Sequence, residues 1–267
     1  KASCSPASSI ARSELMAPST SKIHPTAVVD PRAEIAEGVE IGPYCVIGPR
    51  AKIARENKLI SHVVVAGKIS IGEKNIIHPF AVVGSDPQSK RHTDEIGSVE
   101  IGAHNEIREH VTIHAGTDGR VTKIGSHNLF MVGMHVAHDV VIGSHCIFAN
   151  AVQLAGHSIV EDYAAFGGLS GIAQFVRVGE SAFVAAGAMC ERAVPPFVVV
   201  QGDRARVRAI NKVGLRRRGI DEATISALNR AYRALFVAKE KDAAALATLE
   251  TNLLVERLIA AVTQKPI

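Results

Sequence analysis

Aliphatic residues recur at every sixth position over most of the chain, and this period limits the fold more than any other feature. The phase runs from Ile23 to Val83, returns at Ile101 and, after a short insertion at Ala115–Lys123, continues to Val184. A six-residue period fits neither the 3.6-residue period of an amphipathic helix nor the alternation of an ordinary strand. It is the signature of a parallel β-helix, in which each hexad is a strand with a turn. Three hexads form one triangular coil.

Composition agrees with a thin, repetitive structure. Aromatic residues make up only 4% of the chain and Trp is absent, so Val, Ile, Leu and Ala must build the core. Glycine often follows the inward aliphatic residue, as in Ile41-Gly42, and we expect it to permit the tight corners. The net charge of +4 favours an acidic partner. No apolar run approaches the ~20 residues of a membrane helix.

The chain divides into three parts. Residues 1–22 are rich in Ser and Ala and contain almost no acid, so we expect a disordered leader or vector-derived segment. Residues 23–196 form the predicted β-helix, which stops at paired prolines. Residues 197–267 form a predicted α-helical domain. Its first helix is Glu222–Lys239 with Asp221 as N-cap, and its second is Ala243–Val262. The fold class is therefore mainly β with a helical tail.

Residues 18 apart in such a structure stack on one edge, one strand spacing of ~4.8 Å apart. His138, Gly156 and Gln174 fall in one column, and Asp139 and His157 fall in the next. An imidazole then lies beside a glycine backbone with a carboxylate and a second imidazole adjacent. This set can supply a general base, an oxyanion donor and polar support.

The other histidines give a weaker signal. His104, His127 and His145 each follow an inward aliphatic residue by three positions, so we expect exposed corner residues. Five further histidines have no comparable column: His62, His78, His92, His110 and His114. The four cysteines have no CxxC spacing, which predicts free thiols and a cytoplasmic location.

Several segments between residues 23 and 235 carry a resemblance to one family. They are Ile23-His24-Pro25-Thr26-Ala27, Asn105-Glu106-Ile107-Arg108-Glu109, Thr112-Ile113-His114, His135-Val136-Ala137-His138-Asp139, Leu154-Ala155-Gly156-His157, Gln174-Phe175 and Gly214-Leu215-Arg216-Arg217-Arg218-Gly219. The chain resembles the acyl-carrier-protein-dependent UDP-N-acetylglucosamine acyltransferases of lipid A biosynthesis. The resemblance implies a left-handed β-helix and a homotrimer with active sites between subunits.

The resemblance also implies an activity. An (R)-3-hydroxyacyl group would pass from acyl carrier protein to the 3-hydroxyl of UDP-N-acetylglucosamine or a close analogue. His138 would be the general base, Asp139 would orient its imidazole, and the N–H of Gly156 would bind the thioester oxyanion. The thioester is already activated, so we expect no cofactor and no metal. Neither a nucleic-acid partner nor a membrane span is expected.

Substrate contacts follow from the same resemblance. They are His135 and His157 for the sugar nucleotide, Gln174, Asn211, Arg217 and Arg218 for the carrier and the UDP moiety, and Lys90 or Arg91 as a basic sugar contact. Ala186 would lie at the floor of the acyl groove, where a methyl group in place of glycine would shorten the accepted chain. The basic run from Arg204 to Arg218 would either dock the acidic carrier or form a solvated face.

Three departures from the family pattern keep alternatives open. Ala173, Ser89 and Val213 replace a histidine, an aspartate and a glutamate in sugar or nucleotide contacts. The acceptor could therefore be a 3-amino UDP-sugar, which the same machinery would convert to an amide. A zinc enzyme of the hexapeptide carbonic anhydrase type is a third interpretation, although the long tail and the ligand spacing argue against it. A catalytically idle scaffold is the fourth.

Overall fold

A computed structural model of the chain describes residues 21–90, 95, 97–240, 242, 245–246, 248–249 and 252–263. Short strands alternate among three parallel sheets, which form the sides of a triangular tube. The predicted β-helix is thus confirmed. All but two residues of the predicted leader fall outside the described residues, and so does Arg91.

Strands are numbered along the chain and grouped here by sheet. Sheet A holds β1 (Lys22–Ile23), β4 (Glu40–Ile41), β7 (Lys58–Leu59), β10 (Ile76–Ile77), β13 (Glu106–Ile107), β16 (Leu129–Phe130), β19 (Ile147–Phe148), β22 (Ala165–Phe166), β25 (Phe183–Val184), β27 (Val198–Gln201) and β28 (Arg206–Ile210). Sheet B holds β2 (Val28–Val29), β5 (Val46–Ile47), β8 (Val64–Val65), β11 (Val82–Ser85), β14 (Thr112–His114), β17 (His135–Val136), β20 (Gln153–Leu154), β23 (Gly171–Ile172) and β26 (Met189–Cys190). Sheet C holds β3 (Glu34–Ile35), β6 (Arg50–Ile53), β9 (Lys68–Ile71), β12 (Ser98–Ile101), β15 (Val121–Ile124), β18 (Val141–Ile142), β21 (Ile159–Val160) and β24 (Arg177–Val178).

The register between coils follows the predicted 18-residue step over most of the tube. His135 on β17, for example, pairs with Gln153 on β20, which pairs with Gly171 on β23. Two extended turns lengthen the step. Ile76 on β10 pairs with Glu106 on β13 across the segment between β11 and β12, and Thr112 on β14 pairs with His135 across the insertion. Both extensions follow strands of sheet B, and Gln88 of the first and Thr117 of the second lie near the segment 135–139.

The glycines that follow the inward aliphatic residues have a different role from the expected one of permitting tight corners. The left-handed corner positions are mostly occupied by residues other than glycine, including Asp139 and His157, each with φ of 61°. Glycine is needed after the inward aliphatic residue because neighbouring coils approach closely there. A Cβ built on Gly42 would lie 1.8 Å from the carbonyl oxygen of Ile60 in the next coil. Close approach, and not a positive φ, therefore explains the Ile-Gly pairs.

A ladder of buried asparagines runs along the corner between sheets C and A. The side-chain oxygen of Asn75 accepts the backbone N–H of Asn105 at 2.8 Å, and that of Asn105 accepts the N–H of Asn128 at 2.9 Å. The side-chain amide of Asn105 donates to Asn75 Oδ1 and to the carbonyl of Gly125, both at 3.0 Å. Each rung therefore satisfies buried polar groups of the neighbouring coils.

Removal of one rung is expected to destabilise the tube. Asn105→Ala leaves the N–H of Asn128 and the carbonyl of Gly125 buried without these partners, at a cost of about 2–4 kcal/mol in the free energy of unfolding. Urea unfolding followed by circular dichroism measures the change. Asn150→Ala is the matched control, because that side chain is exposed at another corner. Equal unfolding midpoints for the two variants would contradict the role of the ladder.

Sheet A continues beyond the paired prolines, so helical structure begins later than the predicted start at 197. β27 pairs with β25 in parallel, and β28 returns antiparallel to β27. Arginines and apolar residues alternate along β28: Arg206 and Arg208 are exposed, whereas Val207 and Ala209 are half-buried. That two-residue alternation indicates a strand, and it was missed because the basic residues were interpreted as a charge run.

The helices follow β28 at the C-terminal end of the described chain. They are α1 (Lys212–Arg217), α2 (Glu222–Tyr232), a π-helical turn (Arg233–Ala238) and α3 (Leu253–Thr263). Asp221 caps α2 as predicted, since its carboxylate accepts the N–H of Thr224 at 2.8 Å. The second predicted helix, Ala243–Val262, is interrupted: Ala245 and Leu246 are helical, and Ala243 lies outside the described residues. Thr248 and Leu249 lie in a turn and a bend, and α3 starts after Asn252, whose side chain caps it.

Candidate functional site

An open cavity of about 460 Å³ lies on the outer face of sheet B. Its floor is formed by the outward side chains of β17, β20, β23 and β26, and it extends over the corner between sheets B and C. Lining residues named by the sequence analysis are His114, His135, His138, Gly156, Ala173 and Gln174. The column predicted from the 18-residue step therefore lies in one cavity.

His138 and Asp139 form a hydrogen-bonded pair at this corner. His138 Nδ1 lies 2.8 Å from Asp139 Oδ2, and the two side chains are 10% and 4% exposed. With the Nδ1 proton donated to the carboxylate, Nε2 carries the lone pair and can accept a proton. No hydrogen-bond partner of Nε2 is found in the described part of the chain.

Three further donors or charges surround the carboxylate of Asp139. The Thr117 hydroxyl donates to Oδ2 at 2.6 Å and the Thr117 N–H donates to Oδ1 at 3.0 Å, while His157 Nε2 lies 3.5 Å from Oδ2. Burial acts to raise the pKa of Asp139, but the hydrogen bonds from Thr117 and His138 outweigh it, so the pKa is lowered. Asp139 is therefore ionised at neutral pH.

Gly156 lies directly against the imidazole of His138. A Cβ built on Gly156 would lie 2.6 Å from His138 Cε1 and 2.8 Å from Nε2, so only glycine fits beneath the ring. Ala155 and His157 donate their N–H groups to carbonyls of neighbouring coils. The N–H of Gly156 has no acceptor among the described residues, although Gly156 is buried. It is a free donor beside the base.

Two neighbouring imidazoles are held neutral. Burial lowers the pKa of His135, and the electrostatic influence of the neighbouring His114 ring lowers it further. Burial also lowers the pKa of His157, which the carboxylate of Asp139 partly offsets. Because both values fall below 6.5, both rings are neutral near pH 7 and can donate or accept one hydrogen bond each.

Two residues of the cavity, His114 and Gln88, and one residue beside it, Thr117, were not predicted as site residues from the sequence. His114 donates from Nδ1 to the carbonyl of Asp86 at 2.6 Å, and its ring meets that of His135 edge to face at 5.2 Å. It was set aside because the insertion shifts the coil step between β14 and β17. Thr117 lies inside that insertion, and Gln88 lies in the other extended turn. The sequence did contain one indication of these residues: both extensions follow strands that stack on the coil of His138.

The predicted basic and amide contacts are dispersed. Lys90 is exposed outside the cavity lining, and Arg217 is exposed on α1. Arg218 pairs with Glu180, donates to Ser181 Oγ at 2.8 Å and covers the ring of Tyr163 at 4.0 Å. The Asn211 side chain caps α1 through Gly214 N–H and donates to the carbonyl of Ser181. Arg218 and Asn211 thus have structural partners within the chain.

Ala186 lies on the opposite edge of sheet B from His138. It is exposed and precedes Met189 of β26 by three residues, on the corner between sheets A and B. It does not line the cavity itself. A chain that crosses the face of sheet B from His138 would run toward this corner.

The cluster of His138, Asp139 and His157 also has ligand types that could hold a metal ion. Two ligands at ~2.0 Å from a tetrahedral zinc ion lie about 3.3 Å apart. The 2.8 Å between His138 Nδ1 and Asp139 Oδ2 is that of a hydrogen bond, and Oδ2 already accepts a hydroxyl. The geometry therefore favours a hydrogen-bonded dyad over a zinc site.

Comparison with family models gives two matches. The model described as UDP-N-acetylglucosamine O-acyltransferase, domain 2, matches residues 194–266. The model for the bacterial transferase hexapeptide, six repeats, matches residues 20–55. The two matches cover the C-terminal region and the first coils.

Curated relatives share one name, acyl-(acyl-carrier-protein)–UDP-N-acetylglucosamine O-acyltransferase. The protein of Gloeothece citriformis (strain PCC 7424) is 42% identical over 82% of this chain and 80% of its own length. That of Stenotrophomonas maltophilia (strain R551-3) is 41% identical over 81% of this chain and 84% of its own length.

Solved structures agree with these relatives. The UDP-N-acetylglucosamine acyltransferase of Bacteroides fragilis 9343 superposes with a TM-score of 0.86 at 34% identity, covering 89% of this chain and 95% of that one. The homologous structure from Acinetobacter baumannii gives 0.84 at 41% identity, covering 91% and 96%. These structures share the left-handed β-helix of this chain. The chain belongs to the family of acyl-carrier-protein–UDP-N-acetylglucosamine O-acyltransferases.

Proposed function

We propose that this acyltransferase moves an (R)-3-hydroxyacyl group from acyl carrier protein to the 3-hydroxyl of UDP-N-acetylglucosamine, as the first step of lipid A biosynthesis. The relatives' shared name supports the two substrates. The observation that carries the mechanism is the close approach of the His138 imidazole, paired with Asp139, to Gly156, whose N–H has no acceptor among the described residues. Base and oxyanion donor are thus adjacent in one cavity.

The reaction follows from that arrangement. His138 Nε2 removes the proton of the sugar hydroxyl as its oxygen attacks the thioester carbonyl carbon. The carbonyl oxygen becomes an oxyanion and accepts the N–H of Gly156. Collapse of the intermediate breaks the C–S bond, and the departing thiolate receives the proton from the imidazolium. Asp139 stays ionised throughout and stabilises the imidazolium through Nδ1. The reaction as written needs no cofactor.

His135, His157 and Gln174 are proposed as sugar-nucleotide contacts, since they line or border the cavity as polar groups. Lys90, Arg91 and Arg217 are proposed to reach the phosphates or the sugar from outside the lining. Arg218 and Asn211 would hold α1 in place next to the substrate, in addition to contacting the substrate themselves. Ala186 is proposed to end the acyl groove.

A homotrimer in the cytoplasm completes the proposal. Leu169 and Phe175 are 68% and 72% exposed at the corners that flank sheet B, and a neighbouring subunit would cover such apolar groups. The cavity is open, so a second subunit would also enclose the substrates. Cys45, Cys146 and Cys190 are unpaired and buried, which supports a reducing compartment. No helix in the described ranges is long and apolar enough to cross a membrane.

The carrier protein is proposed to dock on four exposed arginines, two of which, Arg204 and Arg206, lie near the cavity. Arg204, Arg206, Arg208 and Arg217 have no ion-pair partner among the described residues. Arg204 and Arg206 line a small recess together with Glu191, which also lines the main cavity. A basic rim beside the acyl-binding face suits an acidic carrier.

Charge reversal on this rim is expected to weaken carrier binding selectively. Arg206→Glu should raise KM for the acyl carrier substrate about 5- to 50-fold at low salt, with kcat and KM for the sugar nucleotide nearly unchanged. The difference from wild type should shrink in 0.5 M NaCl because salt screens exposed charges. Arg32→Glu, at the opposite end of the tube, is the control. A salt-independent effect would contradict the docking surface.

The deciding experiment is a mass-spectrometric transfer assay with 3-hydroxyacyl carrier proteins of several chain lengths. One reaction contains UDP-N-acetylglucosamine, and the other contains its 3-amino analogue. Ester product with the first sugar is expected. Product with the amino sugar alone would favour amide formation, the second candidate, which the methyl group of Ala173 in the cavity wall supports. No product from either sugar would overturn the proposed function.

A further inference from the structure

Two threonines contact Asp139: Thr117, between β14 and β15, and Thr122, on β15. We propose that Thr117 is a positioning residue for acyl transfer, which holds both carboxylate oxygens of Asp139 and thereby fixes the His138 imidazole. The proposal rests on the function proposed above. It gives the insertion, Ala115–Lys123, a role in the chemistry that the repeat alone does not explain.

Thr117 contacts the carboxylate with two different groups. Its N–H donates to Oδ1 at 3.0 Å and its hydroxyl donates to Oδ2 at 2.6 Å. The hydroxyl and His138 Nδ1 therefore meet at the same oxygen from different sides. Thr117 is 5% exposed, so water does not readily replace its hydroxyl. These contacts hold the carboxylate in one orientation, with Oδ2 directed at the imidazole of His138.

Thr122 fixes the backbone from the other end of the insertion. Its buried hydroxyl oxygen accepts the N–H of Asp139 at 2.9 Å. Asp139 has φ of 61°, in the left-handed region. This backbone conformation costs about 1 kcal/mol for residues other than glycine, and local hydrogen bonds are needed to hold it. The insertion thus holds both the main chain and the side chain of Asp139.

Elements around the carboxylate contribute several charged or titratable groups. His138 lies on its own corner, His157 faces it from the next coil, and Asp118 and Arg120 of the insertion act on His157. Thr117 is the only neutral donor that contacts both oxygens among the described residues. Without its hydroxyl, the carboxylate keeps its charge less readily and is free to turn away from His138.

The test compares two substitutions at one position. Thr117→Val keeps the shape and removes the hydroxyl, whereas Thr117→Ser keeps the hydroxyl. We expect the valine variant to lower kcat about 10- to 100-fold with both KM values within about threefold of wild type, as for other groups that orient a reacting residue. The serine variant should recover most of the rate.

The pH profile separates positioning from general loosening of the structure. In Thr117→Val the acid limb of kcat/KM should move to higher pH, because a carboxylate with one donor fewer holds the proton of the dyad more firmly. Ile53→Ala, which truncates a buried residue in the N-terminal coils, is the destabilised control and should leave the limb in place. Equal loss in the serine and valine variants, or an unshifted limb, would overturn the proposal.

The proposed function can fail separately. If wild-type enzyme shows no transfer, the function is wrong, and histidine NMR titration still compares His138 in wild type and in Thr117→Val, with assignment from His138→Ala. A His138 resonance that titrates identically in both proteins would overturn the positioning role without reference to activity. A shifted titration is expected.

Discussion

Replacement of His138 by alanine is expected to lower kcat about 10²- to 10⁴-fold, the range supplied by a positioned general base. The sugar hydroxyl would then have to lose its proton to water. KM for either substrate should change little, because the imidazole acts on a proton that moves only in the transition state. Initial rates from the mass-spectrometric assay measure the loss.

The fold should survive this substitution. Asp139 keeps the two hydrogen bonds from Thr117 and the proximity of His157 after the imidazole is removed, so its buried charge retains support. Circular dichroism and the unfolding midpoint check this. His104→Ala is the matched control, since His104 is an exposed corner histidine that stacks on His127 and lies outside the cavity lining. Wild-type activity in His138→Ala would remove the proposed mechanism while leaving the family assignment untouched.

The column of His138, Gly156 and Gln174 could be predicted from the sequence, because residues that lie one coil apart in a regular β-helix are neighbours in space. Between β17 and β26 the coil step is 18 residues throughout, so His138, Gly156 and Gln174 had to share an edge. The aliphatic period fixes which residues point inward, and the corners then follow. In this part of the chain, counting residues was sufficient to place His138, Gly156 and His157 close together.

Counting failed wherever the step changes. Thr112 pairs with His135 across the insertion, so His114 appeared to have no column although it lines the cavity. Thr117 has no repeat position at all, and its contacts depend on how the insertion folds over the corner. Local partners also decide the roles of Arg218 and Asn211. A salt bridge to Glu180 and a helix cap depend on tertiary packing, which the spacing of the residues does not contain.

Gly156→Ala is expected to lower kcat by about 10²- to 10³-fold, because a misplacement of the base by ~1 Å has an effect of that order. The added methyl group would lie 2.6 Å from His138 Cε1, so the ring must move. The ring cannot move freely, since its Nδ1 is held 2.8 Å from Asp139. Gly48→Ala is the control on the same sheet, where the new Cβ comes no closer than 3.3 Å to its neighbours.

A double variant tests how the methyl group acts. Alanine retains the N–H at position 156, so the loss in Gly156→Ala should arise mainly from displacement of His138. The pair His138→Ala and Gly156→Ala should then be no slower than His138→Ala alone, because the ring that the methyl group displaces is already absent. A further 10-fold loss in the double variant would mean that the methyl group disturbs the oxyanion donor itself. Transfer rates near those of wild type in the single variant Gly156→Ala would exclude the packed arrangement of base and glycine as the reacting one.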